Sequence, residues 1–229
     1  YIIEPIGMQT GWKSYIIKAI KDAVSIPVLS TNVIKKPEDA EKFLAEGLMD
    51  YAVMARAFMA DPDWAKKAKK GLSNEIRPCI GCLHCLEQQC LFRTATCAVN
   101  PMLNRWHEFS DLKEDLGGRK ILVAGAGPAG CEAAMLLKKR GADVTIYEAK
   151  DHTGGAARLG GKLPGKTPLE MLAQYYDAML AKEGIEVKLN TPLTKDIVEI
   201  QKPFAVFVGA GADPRTIEGF RPDGEHIFT

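Results

Sequence analysis

Three cysteines two residues apart, Cys79, Cys82 and Cys85, stand in the run Arg77-Pro78-Cys79-Ile80-Gly81-Cys82-Leu83-His84-Cys85, and Cys97 follows in Cys97-Ala98-Val99-Asn100-Pro101. A [4Fe–4S] cube needs four thiolates at the corners of a small tetrahedron. A tight turn supplies three, and the chain must travel and return to supply the fourth. Zinc is the main competitor, but structural zinc sites usually pair two C-x2-4-C or C/H knuckles symmetrically, which a three-plus-one layout fits badly. A disulfide framework fits less well, because five of the six cysteines fall within 19 residues. Cys90 also competes for the fourth position, since short C-x4-C returns occur in plant-type [2Fe–2S] proteins. The longer interval to Cys97 leaves room for the chain to loop out and come back to the open corner. His84 lies between two candidate ligands, yet no second C-x2-H follows it, so it is not taken as one.

The flanks of this stretch read differently. Residues 1–72 alternate helix and strand. Gly11 to Val24 is helical with Trp12, Ile16, Ile17 and Ile20 on one face, and Ile26 to Ser30 is a short buried strand. A second helix opens at Pro37 and stops at Gly47, and Tyr51 to Met54 is the next strand. Asp61 is placed as the cap of a third helix, with Pro62 just inside it and Gly71 closing it. Such alternation means βα units on a parallel sheet. Two strands close no core, so the reading is the C-terminal end of a (β/α)8 barrel. In such barrels the loops after strands seven and eight commonly make a phosphate site. Those loops are here Ser30-Thr31-Asn32-Val33 and Ala55-Arg56-Ala57-Phe58. Arg56 offers a bidentate partner for a phosphate, or alternatively pairs with a surface carboxylate.

Residues 104–118, polar and ending in Gly117-Gly118, read as a linker. Beyond it the strand Lys120–Ala124 runs into Gly125-Ala126-Gly127-Pro128-Ala129-Gly130, a helix to about Arg140, and the strand Asp143–Tyr147 with Glu148 at its end. G-x-G-x-x-G between a strand and a helix, with an acidic residue about 20 positions on, is a dinucleotide-binding fingerprint. Gly125 permits the turn, Gly127 lets backbone approach a pyrophosphate, Gly130 lets the helix pack, and the helix N-terminus faces the anion. Glu148 would accept from an unphosphorylated ribose. Residues 154–166 read as a flexible, partly basic loop, Thr167 to Glu170 as a capping box, and Ile185–Leu189 and Ala205–Val208 as further strands. Cys131 is read as a small buried hydrophobe, and His107, His152 and His226 carry no assignment.

Composition narrows the rest. A net charge of +1 over 229 residues supplies no basic face for nucleic acid and no acidic tail. No apolar run reaches the length of a membrane span, and no secretory leader is read at the start. Cysteines clustered mid-chain point to a reducing cytoplasm. The first residue is Tyr1, and the expectation is a piece of a longer polypeptide. The domains read as 1–72 (barrel end), 73–116 (iron–sulfur segment and linker) and 117–229 (incomplete dinucleotide fold).

The three parts in this order resemble the 2,4-dienoyl-CoA reductase, 2-enoate reductase and trimethylamine dehydrogenase branch of the old yellow enzyme family. The similarity covers essentially the whole chain. Ile26-Pro27-Val28-Leu29 is similar to the family's seventh barrel strand, and Lys36-Pro37-Glu38-Asp39-Ala40-Glu41 and Ala60-Asp61-Pro62-Asp63-Trp64 to its last two helices. Arg77 to Cys82 and Cys97 to Pro101 match its cluster signature, and Gly154-Gly155 through Lys166 its flavin-side loop. Two positions depart from the pattern: the turn Ser30-Thr31-Asn32 usually contains glycine, where Asn can adopt left-handed geometry, and Ala55 stands where glycine usually precedes the arginine. The family more often has three residues between its second and third cysteines; two, giving Cys85, is the trimethylamine dehydrogenase-like spacing.

The resemblance implies an FMN site on Thr31, Asn32, Val33, Ala55 and Arg56, and a [4Fe–4S] cluster on Cys79, Cys82, Cys85 and Cys97. It implies an FAD or ADP site on Gly125, Gly127, Ala129, Gly130, Glu148, Ala156, Arg158 and Lys166. The implied activity is that of an NAD(P)H-dependent flavin oxidoreductase of enoate reductase type. Electrons would pass from NAD(P)H through FAD and the cluster to FMN, for reduction of a C=C bond in a small unsaturated acid or acyl-CoA. Amine oxidation with ADP in the dinucleotide fold, or a non-catalytic electron-transfer subunit, share these motifs and stay open. No catalytic acid is named, since it would lie on earlier barrel strands, and this stretch alone is expected to be inactive. Expected partners are the rest of the same polypeptide or a partner subunit, in a homo-oligomer when full length, with neither nucleic acid nor membrane.

Overall fold

The computed structural model describes residues 3–110 and 115–212. Part of the linker and the end of the dinucleotide fold, residues 111–114 and 213–229, lie outside the described residues, as does His226.

The first part runs α1 (Ser14–Ala23), β1 (Leu29–Ser30), α2 (Pro37–Ala45) and β2 (Tyr51–Ala52). The strands pair in parallel with Leu29 opposite Tyr51 and Ser30 opposite Ala52. Pro37 opens α2 because its missing N–H would be unpaired there anyway; Asp39 Oδ2 accepts the N–H groups of Lys35 (3.1 Å) and Lys36 (3.0 Å) just ahead of it. Ile17, Val28, Phe43, Trp64 and Ile76 are among the residues that build a core beneath the sheet. The apolar face expected on α1 and the expected buried strand are fully buried only at Ile17 and Val28, with Trp12 partly covered; Ile20, Ile26 and Leu29 are half or more exposed. Side chains alternate across a strand, and helices here cover only one face of a two-stranded sheet.

Two short helices follow, α3 (Arg56–Ala60) and α4 (Trp64–Lys69). Asp61 does not cap α4, which starts two residues after the expected position; it sits in the turn between the helices. Its buried carboxylate accepts from Asp63 N–H (3.1 Å), Lys67 Nζ (2.6 Å) and Arg77 N–H (2.8 Å). The chain then passes the cysteine loop, α5 (His84–Cys90) and α6 (Trp106–Ser110), a helix inside the stretch expected to be a linker.

The last part is a four-stranded parallel sheet in the order β5-β4-β3-β6, built from β3 (Lys120–Ala124), β4 (Asp143–Tyr147), β5 (Glu186–Lys188) and β6 (Ala205–Val208). β3 and β4 run in register from Lys120 opposite Asp143 to Ala124 opposite Tyr147. Both strands are rich in Val, Ile and Leu, as strands buried on two faces should be. The helices are α7 (Pro128–Lys139), α8 (Gly155–Gly161), α9 (Thr167–Lys182) and α10 (Lys195–Gln201). Two of these correct the sequence reading. α8 lies where a flexible loop was expected, and α10, capped by Thr194 Oγ1 accepting from Ile197 N–H at 3.4 Å, was not anticipated. Nor does Thr167 cap α9: Lys166 holds the cap position, and Glu170 turns instead to Arg158 at 2.9 Å.

The cysteine loop packs on both parts. Cys79, Ile80 and Cys97 lie against the second core, which includes Val123, Cys131, Ile146 and Tyr176. Arg77 donates to both carboxylate oxygens of Glu132 on α7 (2.7 and 2.8 Å) and to Val99 O (2.5 Å), with its guanidinium 5.0 Å from the centre of the Tyr175 ring. Asn100 Nδ2 reaches back to Met59 O at 2.8 Å.

Asp61→Asn should destabilise this arrangement. An amide presents an acceptor on one side only, so at least one buried donor loses its partner, at a cost of about 1–3 kcal/mol. Urea denaturation should show the lowered midpoint, whereas Lys66→Gln, in the exposed pair with Asp63, should leave it where it is.

Candidate functional site

Local backbone geometry gathers the cysteines. Gly81 takes φ +65°, and a Cβ there would lie 2.9 Å from Ile6 Cα. Leu83 is also left-handed (φ 62°), which turns the chain into α5 and places Cys85 in its first turn. His84 Nε2 meets Thr96 Oγ1 at 3.0 Å and ties that helix to the limb carrying Cys97. Cys79, Cys82, Cys85 and Cys97 then line one small cavity together with Arg56, Met59, Leu83 and Val99. Cys90, at the far end of α5, is exposed and does not line it. All six cysteines are free thiols. Burial pushes the Cys79 thiol up, while the Gly81 N–H and Arg56 pull it down. Among the described residues no three His, Cys, Asp or Glu side chains converge as ligands on one ion; the four thiols stand around a space. Four unpaired thiols in a three-plus-one arrangement, with a guanidinium in the wall to offset thiolate charge, fit a cluster of several metal atoms.

A larger cleft of about 310 Å³ shares Arg56, Met59, Cys79 and Cys85 with that cavity and extends past Thr31, Val33, Lys35 and Ala55. Arg56 is already engaged, donating to Glu4 O at 2.6 Å and to Glu4 Oε2 at 3.4 Å. Lys13 Nζ approaches Glu4 Oε1 at 2.6 Å. Burial works against the Glu4 charge, but Lys13 and Arg56 hold its pKa below the ordinary value. Two cations thus bracket one buried carboxylate, a partner that no local pattern around Glu4 announces. Asn32 does not face the cleft. Its side chain is fully buried, accepting from Lys13 N–H (3.0 Å) and donating to Ser14 Oγ (2.9 Å). The left-handed residue expected at Asn32 is Val33, at φ 54°.

At the dinucleotide motif two of the three glycines, Gly125 and Gly130, are sterically required. Gly125 has φ +95°, and a Cβ on Gly130 would lie 1.9 Å from Gly125 O. Gly127 has open space where a Cβ would be and is the N-cap of α7, with Ala129 exposed in the first turn. α8 closes on the same loop: Gly154 N–H donates to Ala126 O at 2.8 Å, and a Cβ on Gly155 would stand 3.1 Å from Gly127 Cα. Glu148 is buried and accepts from Ala126 N–H (2.7 Å) and Lys150 N–H (2.9 Å), which leaves a lone pair on each oxygen. Ala156 is exposed on α8 and Lys166 is exposed at the start of α9. Arg158 donates to Thr153 O, Glu170 and Asp177. Burial pushes the Cys131 thiol up to about 12, as expected of an inert small hydrophobe.

Two family models match the chain: NADH:flavin oxidoreductase / NADH oxidase family over residues 6–75, and NAD(P)-binding Rossmann-like domain over 123–184. An NADH oxidase of Thermoanaerobacter brockii is 36% identical over 99% of this chain. The chain belongs to the old yellow enzyme family, in its enoate reductase branch. A cinnamate reductase of Clostridium sporogenes is 30% identical over 86% of the chain. The solved structure of a 2-naphthoyl-CoA reductase in complex with 2-naphthoyl-CoA superposes with a TM-score of 0.88 at 32% identity, over 93% of the chain. The chain spans about a third of each of these relatives, 36%, 30% and 33% respectively. Within the family's pattern, its first part is the end of the barrel and its last a Rossmann-like fold. No described helix is long and apolar enough to cross a membrane.

Sequence reasoning singled out the cysteines, the glycine motif and Glu148, and the structure gathers four of the cysteines at one cavity and Glu148 at the glycine loop. It missed Glu4, Lys13, Asp61 and Glu132, whose roles rest on partners distant in sequence. If Glu148 accepts from ribose hydroxyls, Glu148→Gln should lower dinucleotide retention several-fold, since its amide would face a backbone N–H or a hydroxyl donor. Nucleotide released from acid-treated protein measures this; iron content should stay the same.

Proposed function

We propose that this chain is the electron-transfer portion of an iron–sulfur flavoprotein that uses NAD(P)H to reduce an activated C=C bond of an enoate or acyl-CoA. One observation carries the reading. The four-cysteine cavity shares a wall with the Arg56 cleft, and its loop packs on the core of the dinucleotide fold. A cluster there stands between two flavin sites. Four thiols in a three-plus-one layout favour several metal atoms over a single zinc ion, and Cys97 rather than Cys90 completes the set.

When bound, the cluster supplies one-electron carriage between partners that each exchange two electrons. The residues divide the remaining tasks. Arg56 and Lys13 hold the FMN phosphate in place of the Glu4 carboxylate, with the Thr31–Val33 turn beside them. Gly127 lets the backbone approach the FAD pyrophosphate at the start of α7, with Gly125 making the turn and Gly130 letting the helix pack, and Ala129 and Ala156 leave room for it. Glu148 accepts from the adenosine ribose, and Lys166 lies on the loop facing the nucleotide. Arg158 braces α8 through Thr153 O, Glu170 and Asp177, which leaves one N–H on each terminal nitrogen for the nucleotide. Cysteines clustered mid-chain as cluster ligands suit a reducing, cytoplasmic setting. The names of the cinnamate and naphthoyl-CoA reductases support the substrate class.

Iron and sulfide analysis of anaerobically purified protein tests the assignment. The wild type should hold about four of each per chain. Cys97→Ser should lose most of both and, in the longer protein, NAD(P)H-driven enoate reduction as well. Cys90→Ser should keep both. The reverse pattern would show that the site closes on Cys90.

A further inference from the structure

Arg77, Val99 and Glu132 come from three places with one spacing in common. Arg77 precedes Cys79 by two residues, Val99 follows Cys97 by two, and Glu132 follows Gly130 by two. One guanidinium therefore bonds the limb carrying Cys97, stands beside the limb carrying Cys79, and pairs in two-pronged fashion with the helix that follows the glycine motif. The Arg77 and Glu132 side chains are 14% and 26% exposed, so solvent screens this pair less than a surface one.

We propose that Glu132 sets the reduction potential of the four-cysteine site by cancelling the charge of Arg77, the residue that positions both limbs of the cysteine loop. This rests on the reading that the cysteines hold a [4Fe–4S] cluster. Adding an electron to such a site makes it more negative, so an uncompensated cation beside it favours the reduced form and an uncompensated anion disfavours it. Paired, Arg77 and Glu132 add close to no net charge to that of Arg56 in the cavity wall. The dinucleotide fold thereby tunes the cluster through a residue two positions past the last glycine of its own fingerprint.

A plain structural clamp and this electrostatic role make different predictions. Midpoint potentials of the cluster, measured by spectroelectrochemistry on anaerobically purified protein, separate them. Glu132→Gln keeps the shape and one hydrogen bond but leaves Arg77 charged. Its midpoint should rise, increasing the reduced-to-oxidised ratio at the wild-type midpoint on the order of tenfold, which is 59 mV for a one-electron couple. Arg77→Met leaves the carboxylate alone, and its midpoint should fall. The double variant Arg77→Met/Glu132→Met should return close to wild type, and Glu132→Asp, which keeps the charge, should not move. Single variants that shift in the same direction, or not at all, overturn the inference. If Arg77→Met fails to assemble iron, Glu132→Gln against Glu132→Asp decides: a rise in the first alone supports the proposal, and equal midpoints overturn it. A wild type without a four-iron cluster would remove the functional reading together with this inference; a cluster present with unmoved midpoints removes this inference alone.

Discussion

A guanidinium taken out of water must find acceptors for its N–H groups, and the placement of Arg77 follows from that requirement. Burial opposes its charge, yet Glu132 more than offsets the penalty and its pKa lies above the ordinary value. The acceptors come from separate stretches: Val99 O beside Cys97, and Glu132 on α7, with the Tyr175 ring of α9 against the guanidinium. The backbone N–H of the same residue is taken by Asp61 in the turn between α3 and α4. Satisfying one side chain and one amide therefore docks the barrel end, both limbs of the cysteine loop and the dinucleotide fold together. Breaking a buried pair of this kind leaves an uncompensated charge, which costs far more than the pair gains over an apolar replacement.

Under the proposed function, that docking would let two unlike anion sites serve one centre. In the Arg56 cleft, charge is handled by side chains: Lys13 and Arg56 bracket Glu4, so a phosphate entering there meets a site already arranged for an anion. At the glycine motif, charge is handled by backbone: helix N–H groups and the macrodipole face the ligand, and glycine is required because any Cβ on Gly130 would overlap Gly125 O. The cysteine cavity lies against the first through Arg56 and against the second through the core that holds Cys131.

Where sequence reading went astray, tertiary packing had overridden a local preference. The glycines of residues 154–161 suggest a flexible loop on helix propensity. In the fold they form α8, because α8 lies so close to α9 that a Cβ on Gly161 would be 2.5 Å from Glu170 N and one on Gly154 2.6 Å from Ala173 Cβ. Glu170 looks like half of a capping box, but a partly buried Arg158 offers it a stronger, charged partner. Asn tolerates left-handed backbone better than Val does, yet Val33 takes it, since the Asn32 side chain is committed to Lys13 N–H and Ser14 Oγ. Thr194 before α10 was a readable cap that the sequence reading passed over.

From sequence alone came what short-range chemistry encodes: the cysteine spacing, the strand–glycine–helix fingerprint with Glu148, the alternation of helix and strand, and the order of the three parts. Each is carried by spacing along a stretch of chain or by the succession of such stretches, so the pattern can be read along the sequence. Only the tertiary structure decided that Glu4 occupies Arg56 and that Arg77 is answered by Glu132, while it placed on the cavity the Cys97 that interval and resemblance already favoured over Cys90. Such pairings leave no periodicity to read. They are selected by which surfaces dock, and docking is set by the summed burial of two cores and by the need to satisfy every charge that burial removes from water.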